Sequence, residues 1–333
     1  MITKEYPELL PKLDGFSIHP YRGEQDLPAM VEVFNLSSQA DGADWTTNLN
    51  EMAEEYQLSE HFCPQRDSLQ VEANGQLVAF GEVRHYCIHE NNSWQHRVDG
   101  QVLPAWRNRG IGSALLDYSL AVSQDLNDNQ RGTAQRCLHT YAWDADSDRN
   151  RFLLNAGFNA VEYMYNMTRQ LADNVTIAEL PSGIYTRPVT HEDARGLWDV
   201  YSEAFVDHPG FISLGEAGFI EWKNSVYFDP DLCLAAWQGD RMVGIVVNHV
   251  DADENRQFKR ERGYLLRIGT LRDWRRRGVA RALISRSLLL LKEKGCQEAA
   301  LRVNVRNPTG ALQLYESLGF KSISQLNILE KDV

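Results

Sequence analysis

The chain runs through the same series of hydrophobic rhythms twice. Apolar residues recur at helical spacing in "LPAMVEVFNLS" and again in "ARGLWDVYSEAF", the pattern of a helix with one buried face. A second helical stretch follows each of them. The segments "LQVEANGQLVAFGEV" and "LCLAAWQGDRMVGIVVNHV" then predict a strand, a turn and a strand. A third strand, about Arg97–Leu103 and about Tyr264–Leu271, runs into an arginine-glycine loop and a long amphipathic helix. A further strand ("RCLHTYAW"; "EAALRVNV"), a short helix and two closing strands finish each half. Strands and helices in this order predict an α+β fold, with a mixed, mostly antiparallel twisted sheet flanked by helices in each half.

The echo extends to residue identity. With an offset of 168 residues, Leu103–Leu120 and Leu271–Leu288 agree at nine of eighteen positions. Trp106/Trp274, Arg107/Arg275, Arg109/Arg277 and Gly110/Gly278 are among the matches, and Pro20 and Pro188 share the offset. "NAGF" (Asn155–Phe158) and "SLGF" (Ser317–Phe320) form another pair, six residues closer together. Ordered similarity over half a chain is the mark of duplication, and a period this long means two whole domains. The Pro-Ser-Gly turn signal in Leu171–Gly183 marks the junction. Domains are expected at 14–170 and 184–333, and 333 residues suffice for two cores.

Composition narrows the function classes. A net charge of −12 argues against a nucleic-acid partner, whose phosphates are held by lysine and arginine. The longest aliphatic run, Leu288–Leu291, is too short to span a bilayer, and the opening residues show no apolar signal-peptide pattern. Five scattered cysteines without a CxxC pair point away from metal or redox use and towards a reducing cytoplasm. His85, His89 and His96 fit no helix-borne metal pair and read as a polar hairpin tip. The expected protein is cytoplasmic, a monomer or homodimer, without a membrane partner.

The two arginine-glycine loops carry the candidate chemistry. A strand that ends in R-x-x-G-x-G/A and then starts a helix brings backbone amides to one anionic site, where the helix dipole favours phosphate. Arg107, Asn108, Arg109, Gly110, Ile111, Gly112 and Ser113 form the first such loop. Arg275, Arg276, Arg277, Gly278, Val279, Ala280 and Arg281 form the second. No Lys-Ser or Lys-Thr pair follows, which excludes a Walker loop, and the Rossmann glycine pattern is absent.

On these residues each half resembles a GNAT-type N-acetyltransferase domain, in a tandem layout similar to that of mycothiol synthase. The resemblance implies that the loop amides bind the pyrophosphate of acetyl-CoA. It implies that the strand before the loop pairs with pantetheine, at Thr270 and Leu271 in the second half and at Val102 and Leu103 in the first. The backbone amide there would also steady a developing oxyanion. The family pattern continues in "RVNVRNPTGALQLYESLGF", where Asn304, Asn307, Ala311 and Tyr315 match. Expulsion of a thiolate needs a proton, and tyrosine, with a reference pKa of about 10, suits that leaving group. Tyr315 is the candidate general acid.

The first half departs from the pattern. Four residues before Gly157, as Tyr315 stands before Gly319, the residue is Leu153, which has no proton to give. The first half is therefore expected to bind CoA at most, without catalysing. No general base is assigned, since Glu203, His249, Asp251 and Glu261 read as surface residues. The aromatic-rich Phe219–Phe228 reads as core packing or as the lining of an acceptor pocket. The implied reaction is direct acetyl transfer from acetyl-CoA to a primary amine of a small acceptor. A non-catalytic acyl-CoA sensor and a protein acetyltransferase with the first half as docking module are the alternatives.

Overall fold

A computed structural model describes residues 14–333 except 44–45, 58–61, 89–92, 130–135, 207–210, 212–213 and 308. The chain forms two compact units, Met1–Glu162 with Leu326–Val333, and Tyr163–Gln325. Among the described residues no helix is long and apolar enough to cross a membrane.

Each unit is a mixed α/β body around one sheet, and the two sheets repeat one order. In the second unit the strands lie in the order Tyr185–Thr186, Cys233–Gln238, Arg241–His249, Arg262–Thr270, Glu298–Asn304 and Asn159–Gln170. In the first unit the order is Ser17–Pro20, Ser68–Ala73, Gln76–Ile88, Ser93–Val102, Arg136–Trp143 and Lys321–Asp332. Neighbours run antiparallel apart from one parallel pair in each sheet, Arg262–Thr270 with Glu298–Asn304 and Ser93–Val102 with Arg136–Trp143.

The end of each half differs from the expectation of two closing strands. Each half ends in one continuous strand, Asn159–Gln170 or Lys321–Asp332, because neither "NAVEYMYNMTRQ" nor "KSISQLNILEKD" contains a Gly or Pro to turn the chain. The later part of each strand belongs to the unit of the other repeat. Met164–Gln170 pairs with Glu298–Asn304 in the second unit, and Leu326–Asp332 pairs with Cys137–Trp143 in the first. The ranges 14–170 and 184–333 thus follow the duplication, whereas the compact units exchange their last strands.

Helices cover both faces of each sheet. In the second unit Val279–Glu293 and Ala311–Ser317 cover one face, with Leu283, Ile284, Leu288 and Leu291 buried beneath. Helices Ala194–Phe205 and Gly215–Asn224 cover the other with Leu197, Trp198, Phe219 and Trp222. Burying one such side chain contributes about 1.5–3 kcal/mol. Strand Arg241–His249, buried along nearly its whole length, is pressed close by the first of these helices. A Cβ on Gly244 would come within 2.8 Å of the Val279 side chain, so glycine is required there.

The parallel pairs are short. Arg262–Tyr264 match Glu298–Ala300, after which the two strands part, and a bulge falls between Leu265 and Arg267. The first unit does the same beyond Arg97 and His139. Each sheet therefore opens at its centre, next to the arginine-glycine loop.

Candidate active site

The loop of the second unit has the backbone that its glycine predicts. Arg276 and Gly278 both take left-handed φ values, 58° and 92°, and Gly278 caps the helix that starts at Val279. The first intrahelical bond runs from the Ala282 amide to the Gly278 carbonyl. The amides of Val279, Ala280 and Arg281 therefore have no helical acceptor, which is the state of any helix start. Arg276, Arg277 and Gly278 are exposed, and the Arg277 guanidinium lies 4.9 Å from the Trp274 ring centroid. The first loop repeats this geometry, with Asn108 at φ 60° and Gly110 at 83°, and Arg109 over Trp106. Ile111 is buried, Gly112 half-buried and Ser113 exposed at that helix start.

The arginine that opens each loop, expected among the phosphate-binding residues, faces inward instead. Arg275 donates through Nε to the Thr270 carbonyl at 3.2 Å and through Nη2 to the Ala204 carbonyl at 2.9 Å. Arg107 donates through Nε to the Val102 carbonyl at 3.0 Å and pairs with Asp41. Both side chains tie the end of the strand to the helix beside it. A planar guanidinium with several donors suits this bridging of carbonyls. Their part in the site is to hold its shape.

Strand parity corrects the pantetheine positions. The Leu271 amide donates to the Val243 carbonyl at 3.0 Å, and the Leu103 amide to the Val78 carbonyl at 3.0 Å. Neither amide is open to a ligand or an oxyanion. Backbone groups alternate sides along an antiparallel strand, so Ile268 and Thr270 turn theirs towards the opening. Of the residues expected there, Thr270 and Val102 thus keep their side of the strand while Leu271 and Leu103 do not, and Ile268 was missed.

The closing helix sets the two units apart. Tyr315 lies in Ala311–Ser317, 7% exposed, beside Phe320. Among the described residues nothing hydrogen-bonds its hydroxyl, and burial pushes its pKa up, so it stays protonated at neutral pH. Asn304 accepts from the Arg306 amide at 2.8 Å and Asn307 from the Thr309 amide at 2.8 Å. Those two side chains shape the turn that leads into the helix, at whose first position Ala311 lies. In the first unit the corresponding helix, Ser147–Asn155, places Leu153 where Tyr315 stands and Arg149 where Ala311 stands. The Arg149 guanidinium reaches across the sheet opening, to the Tyr141 carbonyl at 2.8 Å and the Gly100 carbonyl at 3.0 Å. The "NAGF"/"SLGF" alignment carried this signal, because it sets an arginine against an alanine.

On the opposite face of the second sheet, Arg267 lies 5.2, 4.3 and 4.9 Å from the ring centroids of Trp198, Tyr201 and Trp222. Phe219, Trp222 and Phe228 are core, and Trp222 also contributes to this cage. Asp251 caps the helix Ala252–Phe258, while Glu203 and Glu261 are exposed. His249 is half-buried beside Tyr227, and burial lowers its pKa, so it is neutral at pH 7. The hairpin-tip reading of the histidines fails for two of them. The strands extend further than expected, so His85 and His96 are buried cross-strand neighbours with Nδ1 atoms 2.8 Å apart. His89 lies outside the described residues.

Residues 195–320 match the acetyltransferase (GNAT) family. Over 99 residues the chain is 37% identical to N-alpha-acetyltransferase MAK3 of Arabidopsis thaliana, covering 30% of this chain and half of that one. Over 304 residues it is 27% identical to the mycothiol acetyltransferase of Geodermatophilus obscurus, covering 89% and 92% of the two chains. A GCN5-related N-acetyltransferase from Sphaerobacter thermophilus shares the fold with a TM-score of 0.73 at 24% identity, over 96% of this chain and 97% of that one. A tandem GNAT protein from the clavulanic acid biosynthesis pathway does so with a TM-score of 0.67 at 12% identity, over 95% and 98%.

Proposed function

Because residues 195–320 form a GNAT acetyltransferase domain, we propose that this enzyme moves an acetyl group directly from acetyl-CoA to a primary amine, with the chemistry in the second unit. Acetyl-CoA supplies a thioester-activated acetyl group and a thiol leaving group. The second unit would hold it at the helix start of Val279, whose amides have no helical acceptor, and along the parted strand beside Ile268. Tyr315 would hold the proton for the leaving sulfur. One observation carries the assignment. Tyr315 and Ala311 leave the second unit with a protonated phenol and an open sheet, where Leu153 and Arg149 give the first an inert side chain and a filled one.

The test is thiol release with a panel of amines. Gly278→Glu forces a side chain into left-handed backbone and sets a negative charge at the helix start. It should lower acetyl-CoA affinity by about a hundredfold or more and remove turnover, whereas Gly110→Glu should leave most of the turnover. The reverse pattern would assign the chemistry to the first unit. Binding without thiol release from any amine would favour a sensor instead. A narrower reading, in which the acceptor is the α-amine of a peptide, is favoured by the identity to N-alpha-acetyltransferases. It requires free peptides to outperform small amines in the same panel.

A further inference from the structure

Nothing of opposite charge among the described residues pairs with Arg267. Among the described residues no carboxylate lies within ion-pair distance of its guanidinium, and its Nη1 is buried without a hydrogen-bond partner. The groups closest in charge terms are the Tyr201 hydroxyl and the Cys233 thiol, both held protonated by burial. Three aromatic faces surround the cation instead. Such faces attract it, yet a half-desolvated guanidinium still lacks the anion that normally accompanies burial. The first unit shows what a closed arrangement looks like. There the aligned residue is Asp99, and it is paired with Arg97 at 3.0 Å.

Position gives the open charge a use. Arg267 immediately precedes Ile268, whose backbone faces the strand opening, and it projects to the face covered by Ala194–Phe205 and Gly215–Asn224. Helix Val279–Glu293, with its anion-binding start, covers the other face. The guanidinium therefore lies on the face of the sheet opposite the loop, one residue from the strand opening. We propose that Arg267 binds a carboxylate of the acceptor, so that the substrate of the second unit is an amine that also bears a carboxylate. This rests on the acetyltransferase reading above. A planar fork of N–H donors flanked by rings matches a planar carboxylate in two parallel hydrogen bonds.

The test uses amines paired with their carboxamides: β-alanine, 4-aminobutyrate, 6-aminohexanoate and phenylalanine, each against its amide. The spacing series acts as a ruler between amine and carboxylate. Calorimetry on the full chain with CoA present should show at least one acid binding tenfold or more tighter than its amide. Arg267→Met should erase that preference, with acetyl-CoA affinity and circular dichroism unchanged. Arg267→Lys, which keeps the charge without the fork, should retain only part of it and covers the case in which the methionine variant does not fold. The proposal is overturned if no acid outbinds its amide, if the preference survives Arg267→Met, or if 2-aminoethyl phosphate outbinds every carboxylate. Thiol release is read separately. Acid-selective binding that depends on Arg267, without release from any amine, would sink the catalytic reading and leave the carboxylate site standing.

Discussion

The Arg149 guanidinium donates to the Gly100 carbonyl at 3.0 Å, and the same side chain donates to the Tyr141 carbonyl at 2.8 Å. One residue thus bridges the two parted strands of the first unit. Calorimetry should accordingly find one acetyl-CoA bound per chain. Arg149→Ala should open a second, weaker site without raising turnover, because Leu153 still lacks a proton. Two equivalent sites in the wild type would show that the bridge does not exclude the ligand.

Tyr315→Phe keeps the ring against Phe320 and removes only the hydroxyl. Acetyl-CoA affinity should barely change, while kcat should fall about a hundredfold, equivalent to about 2.7 kcal/mol on the barrier. The defect should shrink with an acyl donor whose leaving thiol is more acidic. An equal loss with every donor would make the hydroxyl a positioning group.

Alkaline pH should weaken the fold. Burial pushes the Cys233 thiol up to about 12, whereas an unfolded thiol titrates near about 8.5. Between those values the folded state binds more protons than the unfolded one, so stability is complete below about 8.5 and falls as pH rises through the window. The phenols of Tyr264 and Tyr315, both raised by burial, add to the decline above about 10. Denaturation midpoints at pH 8, 9.5 and 10.5 should decrease in that order, less steeply for Cys233→Ala. A flat series would mean that these groups titrate as they do in water.

Deleting Leu326–Val333 should damage the first unit rather than the second. Leu326, Ile328 and Leu329 are all buried there, and at about 1.5–3 kcal/mol each their loss rivals the stability of a whole domain. Hydrogen exchange should show lost protection in Arg136–Trp143 and retained protection in Glu298–Asn304. Equal loss in both would contradict the exchange of strands.

Local pattern carried much of this architecture. Element order followed from periodicity, and the loop from its glycines, which let backbone amides gather at the start of an apolar helix. What the sequence hid depends on three-dimensional partners. Whether Leu271 or Ile268 faces the opening is a matter of strand parity, set by the neighbour across Val243. Arg107 and Arg275 look like phosphate ligands in a string of letters, and only the nearby carbonyls show that they are braces. Arg267 is an ordinary basic residue in sequence, and its three rings come from two separate helices.

The exchanged strands also fix an order of events during synthesis. The first unit needs residues 326–332, which are made only after the rest of both repeats, whereas the second has its borrowed strand from the moment it begins to emerge. The earlier-made half must wait, one sheet edge unpaired, while the later-made half has every strand it needs. A gene cut between the repeats would yield two fragments that each lack their own final strand and carry the other's. The duplication is inherited as two copies, but each sheet is completed by the last strand of the other copy.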